Sequence, residues 1–373
     1  MWRNIMRTEV LIVGQGICGT FLSWWLEKAG ISFILIDEAR PFTASRAAAG
    51  LINPVTGRRI VKTWMIDELL PFAQDTYATL GRDLGISCIT QKEVVDFFPM
   101  PQMRHAFLDR YAEDPQYLQL PVNEDAWNDY FNVSFGYGLI SPCWLVDLPG
   151  LLAAWRKRLG ERSLLLEEKF DPSSVVYPAT SPSSSQTSTS IPPPQPAIRY
   201  KDIQADRIIL CDGVDSATGP WFSLLPFAPN KGEALILEIP GLPRDFIFKK
   251  GISLLPWQQG LFWAGSSYEW SFNDTHPTEA FRKRTEAALQ DWLKLPFKVL
   301  DHIASVRPAT LERRPFVGFH PLHPAIGILN GMGTKGCSLA PYFARQLVEN
   351  ITLDTPILPE ADVQRFKKVL SRG

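Results

Sequence analysis

Three glycines and one acid raise the first chemical question. Gly14, Gly16 and Gly19 form G-x-G-x-x-G, and Asp37 follows 18 residues after Gly19. In such a run Gly14 permits a tight turn, Gly16 lets backbone approach a pyrophosphate, and Gly19 lets a helix pack closely on a strand. An acid at the spacing of Asp37 accepts hydrogen bonds from an adenosine ribose. The combination points to binding of a dinucleotide.

Holding these residues takes a strand, a turn, a helix and a second strand, and the sequence supplies each. Val10 to Val13 is an apolar run of strand length. Ile17 to Ala29 has Phe21/Trp25 and Leu22/Leu26 at i,i+4, the spacing of neighbours on one helix face, and Gly30 is placed to end it. Phe33 to Ile36 is a second buried strand with Asp37 at its end. The start of the helix offers unpaired N–H groups and a positive dipole end to phosphates.

The 373 residues suffice for two or three domains, and 45% of them are apolar, enough for large cores. A net charge of −1 gives no global attraction to nucleic acid or an anionic membrane. Basic clusters at Arg156-Lys157-Arg158, Arg282-Lys283-Arg284 and Arg313-Arg314 read mostly as solvated faces or loops. The five cysteines (Cys18, Cys88, Cys143, Cys211 and Cys337) form no C-x-x-C pair, so neither a zinc site nor a redox dithiol is indicated. Their sparse, odd number fits a reducing compartment. With no secretory pattern at the N-terminus and no apolar run of about 20 residues, the expectation is a soluble cytoplasmic chain without a metal.

Further along, Ser45 to Ala49 is small and helix-compatible, and Gly50 and Asn53-Pro54 break it. Small side chains here let backbone pass a flat ligand closely. Lys62 to Leu80 predicts an amphipathic helix interrupted by Pro71, and Ile86 to Phe98 a strand. Residues 99–136, polar and proline-punctuated, leave the βαβ rhythm and mark a second domain. Asp147 is placed to cap a helix running to about Leu159 with Leu148, Leu151, Leu152, Trp155 and Leu159 on its apolar face. Residues 178–197 are low complexity and read as a loose hairpin loop without chemistry. Ala205 to Gly213 is another buried strand ending in a glycine turn, and short strands from Gly232 to Gly265 have antiparallel texture. Thr278 to Leu295 is helical; Ala325 to Leu329 is a strand, followed by a glycine-rich turn and a helix from about Ser338 to Asn350. Nucleotide-fold segments thus recur near the start, middle and end, with an antiparallel, aromatic-rich unit inserted twice.

Five segments, VGQGICG with Asp37, SRAAAGLINP, ADRIILCDG, SVRPATLERRPFVG and ILNGMGTKGCSLAPYFARQL, resemble in order and spacing the D-amino-acid oxidase superfamily of FAD-dependent amine oxidases. The resemblance covers nearly the whole chain. Within the superfamily the sequence is similar to glycine oxidase and to the flavin-dependent half of the bacterial enzyme that matures 5-methylaminomethyl-2-thiouridine in tRNA; GSSYEW at 265–270 leans toward the latter, but no methyltransferase half is present. The implied fold is α/β (α+β overall): a Rossmann-like FAD-binding domain from 1–85, 138–230 and 301–373, with an inserted antiparallel-sheet substrate domain from 86–137 and 231–300.

The resemblance also implies residue roles. Gly14, Gly16, Ile17, Cys18 and Gly19 would surround the FAD pyrophosphate, with Asp37 and Glu38 at the ribose. Ser45, Ala48, Ala49, Gly50 and Leu51 would lie along the pyrophosphate and flavin, partly through backbone. Phe170 matches a position whose backbone meets adenine. Asp212 and Gly213 would close the FAD site, and Asn330, Gly331, Met332, Gly333, Thr334, Lys335 and Gly336 would pass the flavin's pyrimidine edge. The helix that follows would aim its dipole at flavin N1 and the C2 carbonyl. Lys335 either adds charge there or points to solvent. Arg307 either anchors a substrate carboxylate, as a planar guanidinium does well, or forms a strand-end ion pair. Tyr268 and Glu269 face the pocket or sit at its rim. Cys337 matches no tether pattern, so the FAD is expected to be non-covalent.

Three activities follow from this. One is oxidation of the C–N bond of a small amino-acid-like substrate, with hydride passing to flavin N5 and oxygen as acceptor. A second is oxidative removal of a carboxymethyl arm from a tRNA wobble uridine, which requires a basic rim of Arg58, Arg59, Arg313 and Arg314 and is not favoured by the net charge. The third is a flavoprotein without amine oxidase activity.

Overall fold

The computed structural model describes residues 5–177 and 198–372. Two sheets carry the chain. The nucleotide-fold sheet runs, in spatial order, Leu165–Leu166, Phe33–Ile36, Met6–Val13 and Ile203–Leu210, all parallel. Beyond Ile203–Leu210, Ile326–Asn330 continues the parallel set and pairs with Phe316–Phe319 antiparallel. Val175–Val176 and Ile198–Tyr200 add an antiparallel hairpin against the start of Ile203–Leu210. The low-complexity expectation for 178–197 lies outside the described residues.

The strand stretches 10–13, Phe33–Ile36 and 208–210 are apolar because both faces are covered there. Val10, Leu11 and Ile12 are fully buried. On one side pack the helices Ile17–Ala29 and Gly336–Leu353, bringing together Phe21, Leu22, Leu26, Phe343 and Leu347. The first helix ends at Gly30, which adopts φ +73° and donates its N–H to Glu27 O. The helix Leu148–Glu161 buries the five apolar residues its spacing predicts, and Asp147 caps it by accepting from the Gly150 N–H. Burying side chains of that size contributes about 1.5–3 kcal/mol each.

The second sheet follows the order Lys298–Arg307, Asn230–Glu238, Phe262–Gly265, Ile252–Pro256, Phe246–Lys250, Ile89–Phe97, Tyr137–Val146 and Leu51–Ile52. All neighbours are antiparallel except Phe246–Lys250 with Ile89–Phe97. An aromatic core (Phe97, Trp127, Phe131, Phe248 and Trp292) fills the space between this sheet and the helix Glu279–Trp292.

Several local expectations change. Pro71 does not interrupt its helix, which runs from Ile66 to Leu84. The proline lies in the second turn, where it forfeits a single backbone bond, and Leu69, Ala73, Tyr77 and Leu80 bury the helix on both sides of it. Residues 101–113 are helical, unannounced because Phe107 alone is buried. Residues 138–146 and 301–307, expected with the nucleotide-fold segments, hydrogen-bond within the antiparallel sheet. Among the described residues no helix is long and apolar enough to cross a membrane.

Candidate active site

Between the sheets runs one long cleft of about 1090 Å³, lined from both sides. Its nucleotide end is shaped by glycines. Gly14 turns off the first strand at φ +98°, and a Cβ there would stand 2.6 Å from Cys211 O. Gly19 packs on that turn: its Cβ would stand 1.9 Å from Gly14 O, so the helix could not sit so close with any other residue. Gly19 therefore shapes the cleft without lining it, whereas Gly14, Gly16, Ile17 and Cys18 line it. Ser45 reaches the helix start, where its Oγ accepts from the Ile17 N–H at 3.0 Å. Phosphate oxygens suit that end for the same reason, as acceptors for helix N–H groups.

Asp37 is held in place before any ligand arrives. Its Oδ2 accepts from the Gln15 N–H at 2.8 Å, and its Oδ1 from the Ala39 N–H at 2.9 Å and Arg156 Nη1 at 2.7 Å. A carboxylate offers about four acceptor positions, so one remains for a ribose hydroxyl. Arg156 also meets Glu167 at 2.9 Å, and Arg158 pairs with Glu27 at 2.6 Å. Arg156 and Arg158 are thus built into the fold, while Lys157 between them stays exposed. Glu38 pairs with Arg40, which forks onto both Asp215 oxygens at 3.1 and 2.9 Å. That clasp joins the loop after Asp37 to the turn after Asp212. Sequence reasoning missed Gln15, Arg156, Arg40 and Asp215; the basic run at 156–158 was the visible signal for one of them.

Phe170 lines the cleft while its ring stacks on Tyr200 at 4.9 Å, a packing role. The two glycine turns predicted separately at 212–213 and 330–336 meet through Asn330. Its Nδ2 donates to Gly213 O at 2.8 Å and to Asp212 Oδ1 at 3.2 Å, and its Oδ1 accepts from the Gly331 N–H at 2.8 Å. Burial pushes the Asp212 carboxyl up to about 7, against the opposing hydrogen bond from Ser216. Gly331, at φ +77°, makes the turn but does not line the cleft; Met332, Gly333, Thr334, Lys335 and Gly336 do.

Ala48, Ala49, Gly50 and Leu51 line the middle of the cleft. Gly50 takes φ +85°, and a Cβ there would lie 1.9 Å from Val146 O, where the chain crosses onto the antiparallel sheet. Trp263 fastens that crossing by donating Nε1–H to Ala47 O at 3.1 Å. The cysteines along this wall are neutral thiols: burial pushes Cys18 and Cys337 up to about 12 and Cys211 well above its usual range.

At the antiparallel end stands Arg307. Its Nη1 donates to Asn230 Oδ1 at 2.6 Å, and Nη1 and Nη2 both reach Ser267 O at 3.3 Å. No carboxylate pairs with it among the described residues, so the strand-end ion pair does not form. Burial lowers its pKa, with the nearby Tyr268 opposing. The guanidinium lies flat across Gly232, where a Cβ would fall 1.8 Å from Nη2. Tyr268 does not line the cleft; it is half exposed, with its ring 5.6 Å from the Arg307 guanidinium carbon. Glu269 exchanges backbone hydrogen bonds with Lys231. Asn230, Gly232 and Ser267 were invisible in sequence because nothing local marks them.

The glycine cradle, the phosphate-compatible helix end, the preset acid and the apolar mid-section fit an extended dinucleotide with a flat ring system. The unpaired guanidinium at the far end fits an anionic group of a second molecule. Among the described residues no group of three or more His, Cys, Asp or Glu is placed to hold a metal.

Comparison with known proteins agrees with this geometry. The profile of the DAO family, described as FAD dependent oxidoreductase, matches residues 9–350. Glycine oxidase of Pseudomonas aeruginosa is 24% identical over 378 residues, covering 95% of this chain and 98% of that one. The crystal structure of glycine oxidase from Geobacillus kaustophilus superposes with a TM-score of 0.75 at 16% identity, over 94% of this chain and 96% of that one. Iminodiacetate oxidase from Chelativorans sp. BNC1 gives 0.69 at 19% identity, over 95% and 98%. At these identities the solved structures speak for the fold.

Proposed function

The chain belongs to the DAO family of FAD-dependent oxidoreductases, and from that premise we propose that it oxidises the C–N bond of an amino acid or N-substituted glycine. The observation that carries the proposal is Arg307: a cation on the cleft wall with no carboxylate partner among the described residues, held by Asn230 and Ser267. Its fork matches a carboxylate bidentately. The names of the relatives, glycine oxidase and iminodiacetate oxidase, support an amine next to a carboxylate as the reacting unit.

FAD, when bound, would supply a two-electron acceptor at N5, with oxygen as the final acceptor and hydrogen peroxide as its product. The residues that would hold it are those at the glycine turns, with Asp37 at the ribose, Ser45 and the start of the first helix at the pyrophosphate, and 330–336 along the pyrimidine edge. This chain's own contribution is positioning. Arg307 fixes the carboxylate, so the adjacent C–H can face the flavin ring. Asn230 and Ser267 keep the guanidinium from swinging. Fixing the reacting atoms this way supplies a large share of a rate acceleration, and no side chain need act as a base. The product imine takes up water and separates into amine and carbonyl compound. The neutral, buried Cys337 thiol supports a non-covalent cofactor.

A second reading, with a carboxymethylamino group carried on tRNA, is favoured by one observation. Arg58 and Arg59 are exposed beside Thr56 and Gly57 at the cleft, and Arg313 is exposed as well. Arg314, by contrast, is engaged over the Trp64 ring at 4.2 Å. Anaerobic bleaching of the bound flavin tests both readings. Bleaching by free amino acids or N-alkyl glycines, abolished in Arg307→Ala, supports the first. Bleaching by carboxymethylaminomethyl-tRNA alone moves the assignment to the second. A flavin that dithionite reduces and no amine bleaches refutes both.

A further inference from the structure

Arg307 is not the cleft's only cation without a counterion. Lys335 lines the same cleft at the entrance to the helix Gly336–Leu353. Among the described residues its ammonium has neither a carboxylate partner nor a side-chain hydrogen bond. Its electrostatic neighbours are Cys143, Lys249 and Cys337. Two of these are neutral thiols, raised by burial. The third is a cation already satisfied, with Lys249 Nζ 2.8 Å from Asp96 Oδ2. Burial pulls Lys335 down to about 8, so at neutral pH it still carries its charge.

The surroundings of this charge come from both sides of the cleft: its neighbour Gly336 packs by Ile17, and Cys143 and Lys249 lie on the other side. Cys143 and Lys249 both belong to strands of the antiparallel sheet, Tyr137–Val146 and Phe246–Lys250, so the ammonium faces that sheet. The loop that carries it is tied to the one that carries Arg307, for the Gly333 N–H donates to Pro308 O at 3.2 Å. Two cations on joined loops therefore line one cleft. Enclosed charges are ordinarily paired, because stripping their water is costly. One substrate carboxylate on Arg307 would leave Lys335 without a carboxylate partner among the described residues.

We infer that the substrate is an amine with two acidic groups, one carboxylate on Arg307 and a second on Lys335. The inference rests on the reading of Arg307 as the carboxylate anchor. Glycine and sarcosine would then occupy half of the site.

The test uses the FAD-loaded protein and ligands that cannot be oxidised at nitrogen. Ether diacids, in which oxygen replaces the amine and one to three methylenes precede the second carboxylate, are compared with methoxyacetate. Dissociation constants come from the perturbation of the flavin spectrum at pH 7. The best diacid is expected to bind about tenfold tighter than methoxyacetate or better, as one added charge-assisted contact gives. Lys335→Met should bring that ratio to near unity, and Lys335→Arg should keep it. The inference is overturned if the wild-type protein shows no diacid preference. It is also overturned if Lys335→Met weakens monoacid and diacid alike while lowering the flavin midpoint potential, since the lysine then serves the flavin. Arg307→Ala distinguishes the two levels. If methoxyacetate binding ignores that change, the anchor reading fails and the inference with it. If binding needs Arg307 but the diacid has no advantage, only the inference fails.

Discussion

Gly232→Ala isolates the proposed carboxylate anchor without replacing any charged residue. In the native strand the Arg307 guanidinium covers Gly232, and an added Cβ would stand 1.8 Å from Nη2, 2.2 Å from Cζ and 2.5 Å from Nη1. Carbon and nitrogen need about 3.5 Å, so the guanidinium must retreat by more than about 1 Å. The retreat breaks its 2.6 Å bond to Asn230 or its 3.3 Å contacts to Ser267. Misplacing a positioning group by about 1 Å lowers rates roughly 100-fold. The backbone at Gly232 does not require a positive φ, and alanine suits a strand better than glycine by about 0.5–1 kcal/mol, which offsets part of the about 1–3 kcal/mol lost with the guanidinium's hydrogen bonds. Single-turnover flavin reduction by the best amine substrate, with a melting curve alongside, measures both. We expect a loss of about 100-fold in rate over substrate affinity, with flavin content retained and the melting temperature lowered by no more than a few degrees. Reduction within threefold of wild type would refute the claim that Arg307 must lie where it does.

Asp212 gives a pH dependence of defined sign. Its folded carboxyl titrates at about 7 against an ordinary 3.8, so its contribution favours the folded state below the lower value and is lost as pH rises through 7. Asp212→Asn should therefore leave stability near pH 4 little changed and raise it progressively toward pH 8, by up to about 4 kcal/mol from a three-unit shift; urea unfolding at the two ends reads this, and a flat difference would contradict it. Gly19→Ala places a Cβ 1.9 Å from Gly14 O and should force helix and strand apart, with overpacking costing about 1–3 kcal/mol and loss of bound flavin, seen as reduced flavin absorbance per protein. Arg156→Ala removes the 2.7 Å partner of Asp37 and should raise the FAD dissociation constant about tenfold, read by fluorescence titration of the stripped protein. Acid precipitation should leave all flavin in the supernatant, since the Cys337 thiol is buried and neutral.

The nucleotide end was legible because each of its demands falls on residues close together in sequence. Gly14, Gly19 and Asp37 answer to one turn, one helix contact and one strand end, all within thirty residues. The helix Leu148–Glu161 declared its buried face by spacing alone. The antiparallel sheet was harder to read, since its strands pair across long gaps. Val94 meets Ile247, and Leu51 meets Leu145, and nothing in a local window records either partner. The same holds for the proposed anchor: Arg307 was singled out by resemblance, but Asn230 lies 77 residues away and the need for glycine at 232 follows only once the guanidinium is in place. Lys335 was singled out beside the flavin; its facing toward Cys143 and Lys249 needed the second sheet.

The central position of Met6–Val13 has a consequence for synthesis. One side of this strand is closed early by Phe33–Ile36, but the other waits for Ile203–Leu210. At about 5–20 residues per second, the ribosome takes roughly 10–40 s to supply that partner. Throughout this interval Val10, Leu11, Ile12 and Val13 present one unpaired backbone edge and an unfinished apolar surface. Pauses in translation before residue 210 should lower the yield of soluble protein, because they prolong exposure of that edge.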